Sequence, residues 1–331
     1  MLAFLATRAV PSLERVSPGE VLRVVRLDGG APLLLRVRPV PAAGPPAWLA
    51  VLATPLAGAA PGIAAHRAAL RRLLGRMFDL DTDLGPFLAL ARRDSVLAPL
   101  AARHPGLRLP QLPDPLEGAV RAIVGQQVSV AGARTVVDRL VRRFGDPVAA
   151  PGLEGLFAFP LPAALAAAQP EQLTALGLTR AKAAALRAVA AATRDGAVDW
   201  ERLRTLPAED AQAALQALPG IGPWTASYIR MRALADPDAF PASDLGLLKA
   251  LAAHDSRAIR ESRDADSARD ARNAGDARNP QGRAVSSARA TAAATAILAD
   301  GWRPFRAYAA IHLWHSLDPE IRAREPAPLQ G

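Results

Sequence analysis

The sequence predicts a mostly α-helical protein with a small N-terminal α+β unit. Residues 1 to about 83 hold three short β-like runs, EVLRVVRL (20–27), PLLLRVRPV (32–40) and AWLAVLAT (47–54), split by the breakers DGG and AAGPP. One amphipathic helix follows, IAAHRAALRRLLGRMF (63–78), with an apolar stripe and arginines on its other face, and DLDTDLGPF (79–87) reads as the exit from this unit. Beyond it the apolar pattern is helical almost throughout.

Composition narrows the function class. Half of the 331 residues are apolar, enough for two or three packed domains. The absence of cysteine excludes disulfides, thiolate zinc sites and cysteine-ligated iron–sulfur clusters. Lys and Arg outnumber Asp and Glu by 40 to 31, and nearly all of the positive charge is Arg, which suits a polyanionic partner. A GC-rich coding bias yields the same Ala/Arg/Pro-rich composition, so charge alone does not decide. No run of about 18 apolar residues suggests a membrane span. The opening MLAFLATRAV lacks a basic leader and continues into strand-like sequence, so a mature cytoplasmic protein is expected.

Within the helical part, DPLEGAVRAIVGQQVSVAGARTVVDRLVRRFG (114–145) reads as one long helical stretch. Asp114 can cap it, Pro115 suits the first turn, Glu117 completes a capping-box-like pattern and Gly145 can end it. Gly118, Gly125 and Gly132 recur every seven residues, as they would on a face approached by another backbone or in a helix that merely tolerates glycine. TRAKAAALRAVAAATRDG (179–196) is a further capped helix. From 254 to about 290 Arg alternates with Asp and Glu and large apolar residues are nearly absent, so a disordered insertion is expected there. Pattern resumes at TAILADGWRPFRAYAAIHLWHSL (295–317), an aromatic-rich helix pair.

The chemistry-bearing stretch is AEDAQAALQALPGIGPWTASYIRMRAL (208–234), two helices joined by a hairpin. Pro219 and Gly220 stop the first, and Gly222 and Pro223 start the second. Such a start offers main-chain N–H groups, a favourable dipole and no side chains to fend off a ligand, which suits a phosphate held without regard to base. An ordinary tight turn is the plainer reading. Twenty residues past Trp224, Asp244 precedes the helical run LGLLKALAAH. It reads as an N-cap, as a catalytic carboxylate stabilised by the helix dipole, or as both. Of seven Trp and Tyr residues, five lie in two segments, Trp224 with Tyr228 and Trp302 with Tyr308 and Trp314. That clustering suggests a pocket stacking a planar ring, cationic or neutral, rather than ordinary core packing.

LPGIGPWTASY with Asp244 22 residues after Gly222 resembles the helix-hairpin-helix DNA glycosylases of the Gly/Pro…Asp type. LAFLATRAV, FDL, HPGLRLP, AVRAIVGQQVSVAGAR, TALGLTRAKAAAL and RAYAAIHLWH extend the likeness to DNA-3-methyladenine glycosylase II (AlkA-type) enzymes over nearly the whole chain, outside the insertion and the extreme tail. The resemblance implies an N-terminal antiparallel sheet-and-helix domain (1–83) and a two-lobed helix-hairpin-helix glycosylase domain (84–325). One lobe would span 107–236 and the other 84–106 with 237–325, with the active-site cleft between them. Asp244 matches the catalytic aspartate, and Trp224, Tyr228, Trp314 and Phe4 match residues of the base pocket. Gly220, Gly222 and Thr225 match main-chain donors to a DNA phosphate. The carbonyls of Gln216, Leu218 and Ile221 match a structural site for Na+ or a similar cation, and no cofactor is implied for catalysis. Gln127 stands where the family often carries an apolar intercalating wedge. The chain starts close to Phe4, without the strand that usually precedes it, which implies a misassigned start, a truncation or a former fusion.

Strand-cleaving relatives carry a Schiff-base lysine where Trp224 stands, so a monofunctional enzyme is expected. Its substrate would be double-stranded DNA containing alkylated purines, and it would act as a monomer with no membrane and no obligate protein partner. Two other readings stay open at this point: a non-catalytic DNA-binding module, and a glycosylase for a neutral lesion such as 8-oxoguanine.

Overall fold

The fold is taken from a computed structural model that describes residues 1–27, 30–40, 48–56, 63–254 and 292–318. Apart from His254, the insertion expected at 254–290 lies outside the described residues. In chain order the structure has a short helix α1 (Leu2–Ala6) and strands β1 (Glu14–Ser17), β2 (Glu20–Arg26), β3 (Pro32–Val40) and β4 (Trp48–Pro55). Helices α2 (Ile63–Phe78), α3 (Gly85–Ala91), α4 (Leu97–Arg103), α5 (Pro115–Gly125) and α6 (Val130–Phe144) follow. A two-residue pairing of β5 (Asp146–Pro147) with β6 (Phe157–Ala158) then leads to α7 (Pro162–Ala167), α8 (Pro170–Ala175), α9 (Arg180–Arg194) and α10 (Trp200–Thr205). The chain continues through α11 (Ala208–Gln216), α12 (Pro223–Ala233), α13 (Leu245–His254), α14 (292–300) and α15 (Arg306–Ser316). These elements form two units, Met1–Asp81 with Pro110–Ala235, and Thr82–Leu109 with Asp236–Gly331.

In the first unit the four long strands form an antiparallel sheet in the order β1-β2-β3-β4. Both faces of β2 are covered. Val21 and Val25 pack with Leu33, Leu35 and Val37 against Leu70, Leu73, Met77 and Phe78 of α2. Leu22, Val24 and Leu34 pack against Leu153, Leu156 and Ala158. Burial on both sides explains why this strand reads as an almost unbroken apolar run. The sequence missed β1, whose ERVS is polar and which owes its place to pairing, Val16 lying opposite Val21. The opening residues form α1 before the chain enters β1. That turn is closed by Thr7 Oγ1, which donates to the Phe4 carbonyl at 3.1 Å, and by Arg8, which donates to the same carbonyl at 3.3 Å.

The stretch read as one helix over 114–145 is two. Asp114 caps α5 by accepting from the Leu116 N–H at 2.8 Å, and Ser129 caps α6 by accepting from the Gly132 N–H at 3.1 Å. Between them Gln127 takes a positive φ of 57°. The break ends the seven-residue glycine spacing as a single face. Of the three, only Gly118 is tightly approached by another helix, since a Cβ there would sit 2.5 Å from the Cβ of Ala233 on α12. Glu117 does not close a capping box. It turns into the interior and binds Arg23 of β2 and Arg121 of its own helix. Glu14 of β1 binds the same two arginines, so two carboxylates and two guanidiniums neutralise one another where the sheet meets α5. Burial pushes the Glu14 carboxyl up, but the charges of Arg23 and Arg121 outweigh it and hold the group below the ordinary range.

The second unit packs α3, α4, α13 and α15 around Phe87, Leu97, Leu247 and Trp302, all buried. The Trp302 indole donates to Asp94 at 2.7 Å, and Phe87 contacts the rings of Tyr308 and His312 at 5.5 and 5.3 Å. Burial, reinforced by nearby His104, lowers His312 to about 4 from an ordinary 6.5.

Two measurements test this packing. His312 is neutral in the fold and gains a proton more readily when unfolded, so its stabilisation is complete above pH 6.5 and is lost as the pH falls toward 4. Acid titration of denaturant stability is expected to show a loss of roughly 3 kcal/mol attributable to this group, and His312→Leu should remove that component of the slope. At the α5–α12 contact, Gly118→Ala should lower stability by roughly 1–3 kcal/mol, read as a shifted denaturation midpoint at unchanged m-value.

Candidate active site

In the first unit, α11 ends at Gln216 and the chain reverses within six residues. Ile221 is buried and its N–H donates to the Leu218 carbonyl at 3.2 Å, which pins the turn from inside. Gly220 has φ 75°, and a Cβ there would sit 2.5 Å from the Cβ of Ala185 on α9. Both backbone conformation and contact therefore require glycine. Gly222 is the N-cap of α12, with extended backbone and open space where its Cβ would be. It brings no side-chain acceptor to the helix start, and Pro223 brings no N–H. Helices α5, α6, α9 and α10 are capped by the side chains of Asp114, Ser129, Thr179 and Asp199. The start of α12, like those of α3, α4, α7, α11 and α15, has no side-chain cap bond, and the space beside Gly222 is open.

The remaining hairpin candidates fall into place around this turn. Thr225, in the first turn of α12, is buried, and its Oγ1 accepts from Gln126 Nε2 at 2.9 Å. The same Gln126 Nε2 donates to the Gly220 carbonyl at 3.1 Å, so the loop that carries exposed Gln127 is tied to the hairpin. Gln216 ends α11, and Leu218 and Ile221 lie in the turn. Among the described residues no group of His, Cys, Asp or Glu has the makings of a metal site, so a cation here would rely on main-chain oxygens. A hard cation accepts such donors, and the carbonyl end of α11 carries the negative end of its dipole.

Trp224 and Tyr228, one turn apart on α12, stack with centroids 5.5 Å apart and planes inclined by 28°. Gly125, at the end of α5, leaves room for the Trp224 ring, whose Cη2 lies 3.8 Å from the position a Cβ would take. Phe4 is fully buried, with the Arg8 guanidinium 3.8 Å over its ring and that of Arg232 at 5.4 Å.

In the second unit Asp244 precedes α13, and its carboxylate does two jobs. Oδ1 accepts from the Leu247 N–H at 3.0 Å, as an N-cap does, and from the Trp314 indole Nε1 at 2.8 Å. Trp314 is 8% exposed, so its ring fixes the carboxylate from within the fold. Gly246 makes room for this pair. A Cβ there would lie 2.9 Å from Asp244 Oδ1 and 3.2 Å from Trp314 Nε1. A second link between α13 and α15 runs from His254 Nε2 to Ser316 Oγ at 3.1 Å.

The aromatic clustering used as a sequence clue divides in the structure. Trp302 and Tyr308 are buried in the second unit, and Trp314 donates to Asp244. Sequence reasoning passed over Gln126, Lys182 and Gly246. Lys182 had a visible signal, because the chain uses lysine only twice among its 40 basic residues.

Known proteins resemble this chain in sequence and fold. Residues 1–114 match the AlkA N-terminal domain model, and residues 120–270 match that of the HhH-GPD superfamily base excision DNA repair proteins. DNA-3-methyladenine glycosylase 2 of Escherichia coli is 30% identical over 318 residues, covering 96% of this chain and 92% of the relative. A Mycobacterium tuberculosis protein described as a probable bifunctional transcriptional activator/DNA repair enzyme AlkA is 33% identical over 328 residues, or 97% of this chain. The chain spans about half of that relative's length, 55%. The solved 3-methyladenine DNA-glycosylase of Archaeoglobus fulgidus shares the fold with a TM-score of 0.71 at 22% identity, over 95% of this chain and 93% of that one. The chain belongs to the AlkA-type DNA-3-methyladenine glycosylase family, within the HhH-GPD superfamily.

Proposed function

We propose that the chain is a monofunctional DNA glycosylase of base excision repair. It hydrolyses the N-glycosidic bond of flipped alkylated purines in double-stranded DNA, namely 3-methyladenine, 3-methylguanine and 7-methylguanine, and leaves an abasic site. The observation that carries this reading is the Asp244 carboxylate, immobilised at a helix start by the Leu247 N–H and the Trp314 indole.

The main chain of Gly220, Gly222 and Thr225 grips a phosphate of the DNA backbone at the start of α12. Gln127 enters the duplex where the damaged nucleotide leaves it, and Trp224 and Tyr228 stack the extruded base. A 3- or 7-alkylated purine is cationic. Its glycosidic bond is already weakened, and the base departs neutral without a general acid. Positive charge then develops on the sugar, where the fixed carboxylate of Asp244 stabilises it and orients the attacking water. No amine stands at position 224, so no Schiff base forms and the strand is not cut. A Na+-like cation on the carbonyls of Gln216, Leu218 and Ile221 would support the hairpin without entering the chemistry. Its fit is to main-chain oxygens only, one of which, that of Leu218, already accepts a hydrogen bond from Ile221. The enzyme acts as a monomer in the cytoplasm, and no helix among the described residues is long and apolar enough to cross a membrane.

With methylated duplex DNA, wild-type protein should release free alkylpurines and leave the strand unbroken until alkali is added. Spontaneous nicking, or a covalent adduct trapped by borohydride, would contradict the monofunctional reading. Asp244→Asn should bind an abasic-analogue duplex within about threefold of wild type yet lose base release by roughly 100-fold or more. Excision of 3-methyladenine by that variant at close to the wild-type rate would sink the role assigned to Asp244, and a wild type that binds DNA but releases no base would leave a DNA-binding module. Release of 8-oxoguanine in place of alkylpurines by the wild type would favour a neutral-lesion enzyme.

A further inference from the structure

Lys182 is one of two lysines in a chain whose other basic residues are all arginine. It lies in the first turn of α9, yet its ammonium group reaches the opposite end of another helix. Nζ donates to the carbonyls of Val124 at 2.9 Å and of Gln126 at 2.6 Å. These are the last carbonyls of α5 and its C-cap, which have no partners within the helix and carry the negative end of its dipole. A compact ammonium with three donors can serve two converging carbonyls, where a planar guanidinium is larger and differently directed. Burial lowers the Lys182 pKa below its ordinary value, as expected of an ammonium turned from water toward carbonyls.

The contact continues beyond α5. The Gln126 side chain reaches the other way, to the Gly220 carbonyl at 3.1 Å and the Thr225 hydroxyl at 2.9 Å. Ala185, one turn on from Lys182, is the residue against which Gly220 packs. One face of α9 thus sets the end of α5 through Lys182 and the hairpin through Ala185, and Gln126 joins the two directly. The loop so held is poised and exposed. Gln127 occupies the left-handed region without being glycine, and the next apolar side chains, Val128 and Val130, are 48% and 52% exposed. A non-glycine residue persists in that conformation where its surroundings dictate it.

We propose that Lys182 and Gln126 are positioning residues that lock the 126–129 loop to the phosphate-gripping hairpin, so that holding the backbone places the loop tip where it must enter the duplex. The inference rests on the glycosylase reading given above. The clamp acts on extraction of the base from a paired stack, and neither on docking to DNA nor on bond cleavage. Unstacking a paired nucleotide is uphill, whereas an unpaired one is extruded at much lower cost.

The test compares single-turnover release of the same alkylated purine from a fully paired duplex and from a bulge in which it is unpaired. Lys182→Met and Gln126→Leu should each slow release from the paired duplex by about 10- to 100-fold while changing release from the bulge by less than about threefold. Affinity for undamaged duplex should stay within about threefold of wild type, because the main-chain phosphate grip remains. The ratio of the two rates is independent of the fraction of active protein, so partial unfolding of the lysine variant does not imitate the effect. If Lys182→Met fails to fold, the half-buried Gln126→Leu gives the same comparison. Equal losses on both substrates, or no loss on the paired one, would overturn the clamp. A wild type that releases nothing from either substrate would instead refute the glycosylase reading, and the clamp with it.

Discussion

Helix α5 is buried on nearly every side. Leu116 to Val120 and Ala122 to Val124 are all buried, including Glu117 and Gly118. A helix in that position has no water to satisfy its charged side chain or its terminal carbonyls, so each polar group on it must find a partner in the protein. Much of the first unit's organisation answers that requirement. Glu117 is met by Arg23 from the sheet and by Arg121, and Glu14 balances the two arginines. The N-terminal N–H groups are met by Asp114, and the C-terminal carbonyls by Lys182. Such ion clusters add little net stability over an apolar core, but removing one member strands a buried charge at a cost of about 3–5 kcal/mol. The sheet is therefore fastened in a fixed register to the helix from which the 126–129 loop emerges.

The same helix sets the position of α12. Gly118 permits α5 and α12 to approach until Ala233 fills the space of the missing side chain, and Gly125 admits the Trp224 ring at the other end of the contact. With both ends specified, the start of α12 and the end of α5 lie side by side, and the Gln126 side chain spans them. Cores accept one packing and resist displacement, so a close glycine contact conveys position where a contact between long side chains would give way. The proposed phosphate grip and the loop tip thus sit on two closely packed helices, which meets the demand that binding groups be held to within a fraction of an ångström.

Much of this was legible in the sequence, and what escaped notice has identifiable physical causes. Three of the four long strands, α2, α9 and the hairpin helices were readable, because period and breakers are local properties. Strand β1 was not, since a polar tetrapeptide becomes a strand only by pairing with β2. The break between α5 and α6 was hidden because QQVS supports helix and turn about equally well. Its own Ser129, as the cap of α6, and the Lys182 ammonium from outside the tetrapeptide decide the matter. Asp244 was legible as a cap, but its bond to Trp314 spans 70 residues and has no local signature. Of the clustered aromatics, Trp224 stacks with Tyr228, Trp314 bonds Asp244, and Trp302 and Tyr308 are buried in the second unit. Residues close in sequence on α15 and its approach face different neighbours, and a cluster in sequence is not a cluster in space.

The double use of Asp244 follows from the same economy. An N-cap carboxylate has its rotamer set by the helix N–H it accepts, and here the indole of Trp314 constrains it further. Gly246 is needed for that arrangement, because any side chain there would press on both partners. A carboxylate fixed in this way has little reorganisation left to undergo when positive charge develops beside it, which is the condition under which electrostatic stabilisation is most effective. Capping is thus compatible with the catalytic role proposed for this group. The hydrogen bonds that make Asp244 a good helix start are the ones that keep its charge in a defined place, and a cap at this position that lacked the negative charge would preserve the helix while abandoning the chemistry.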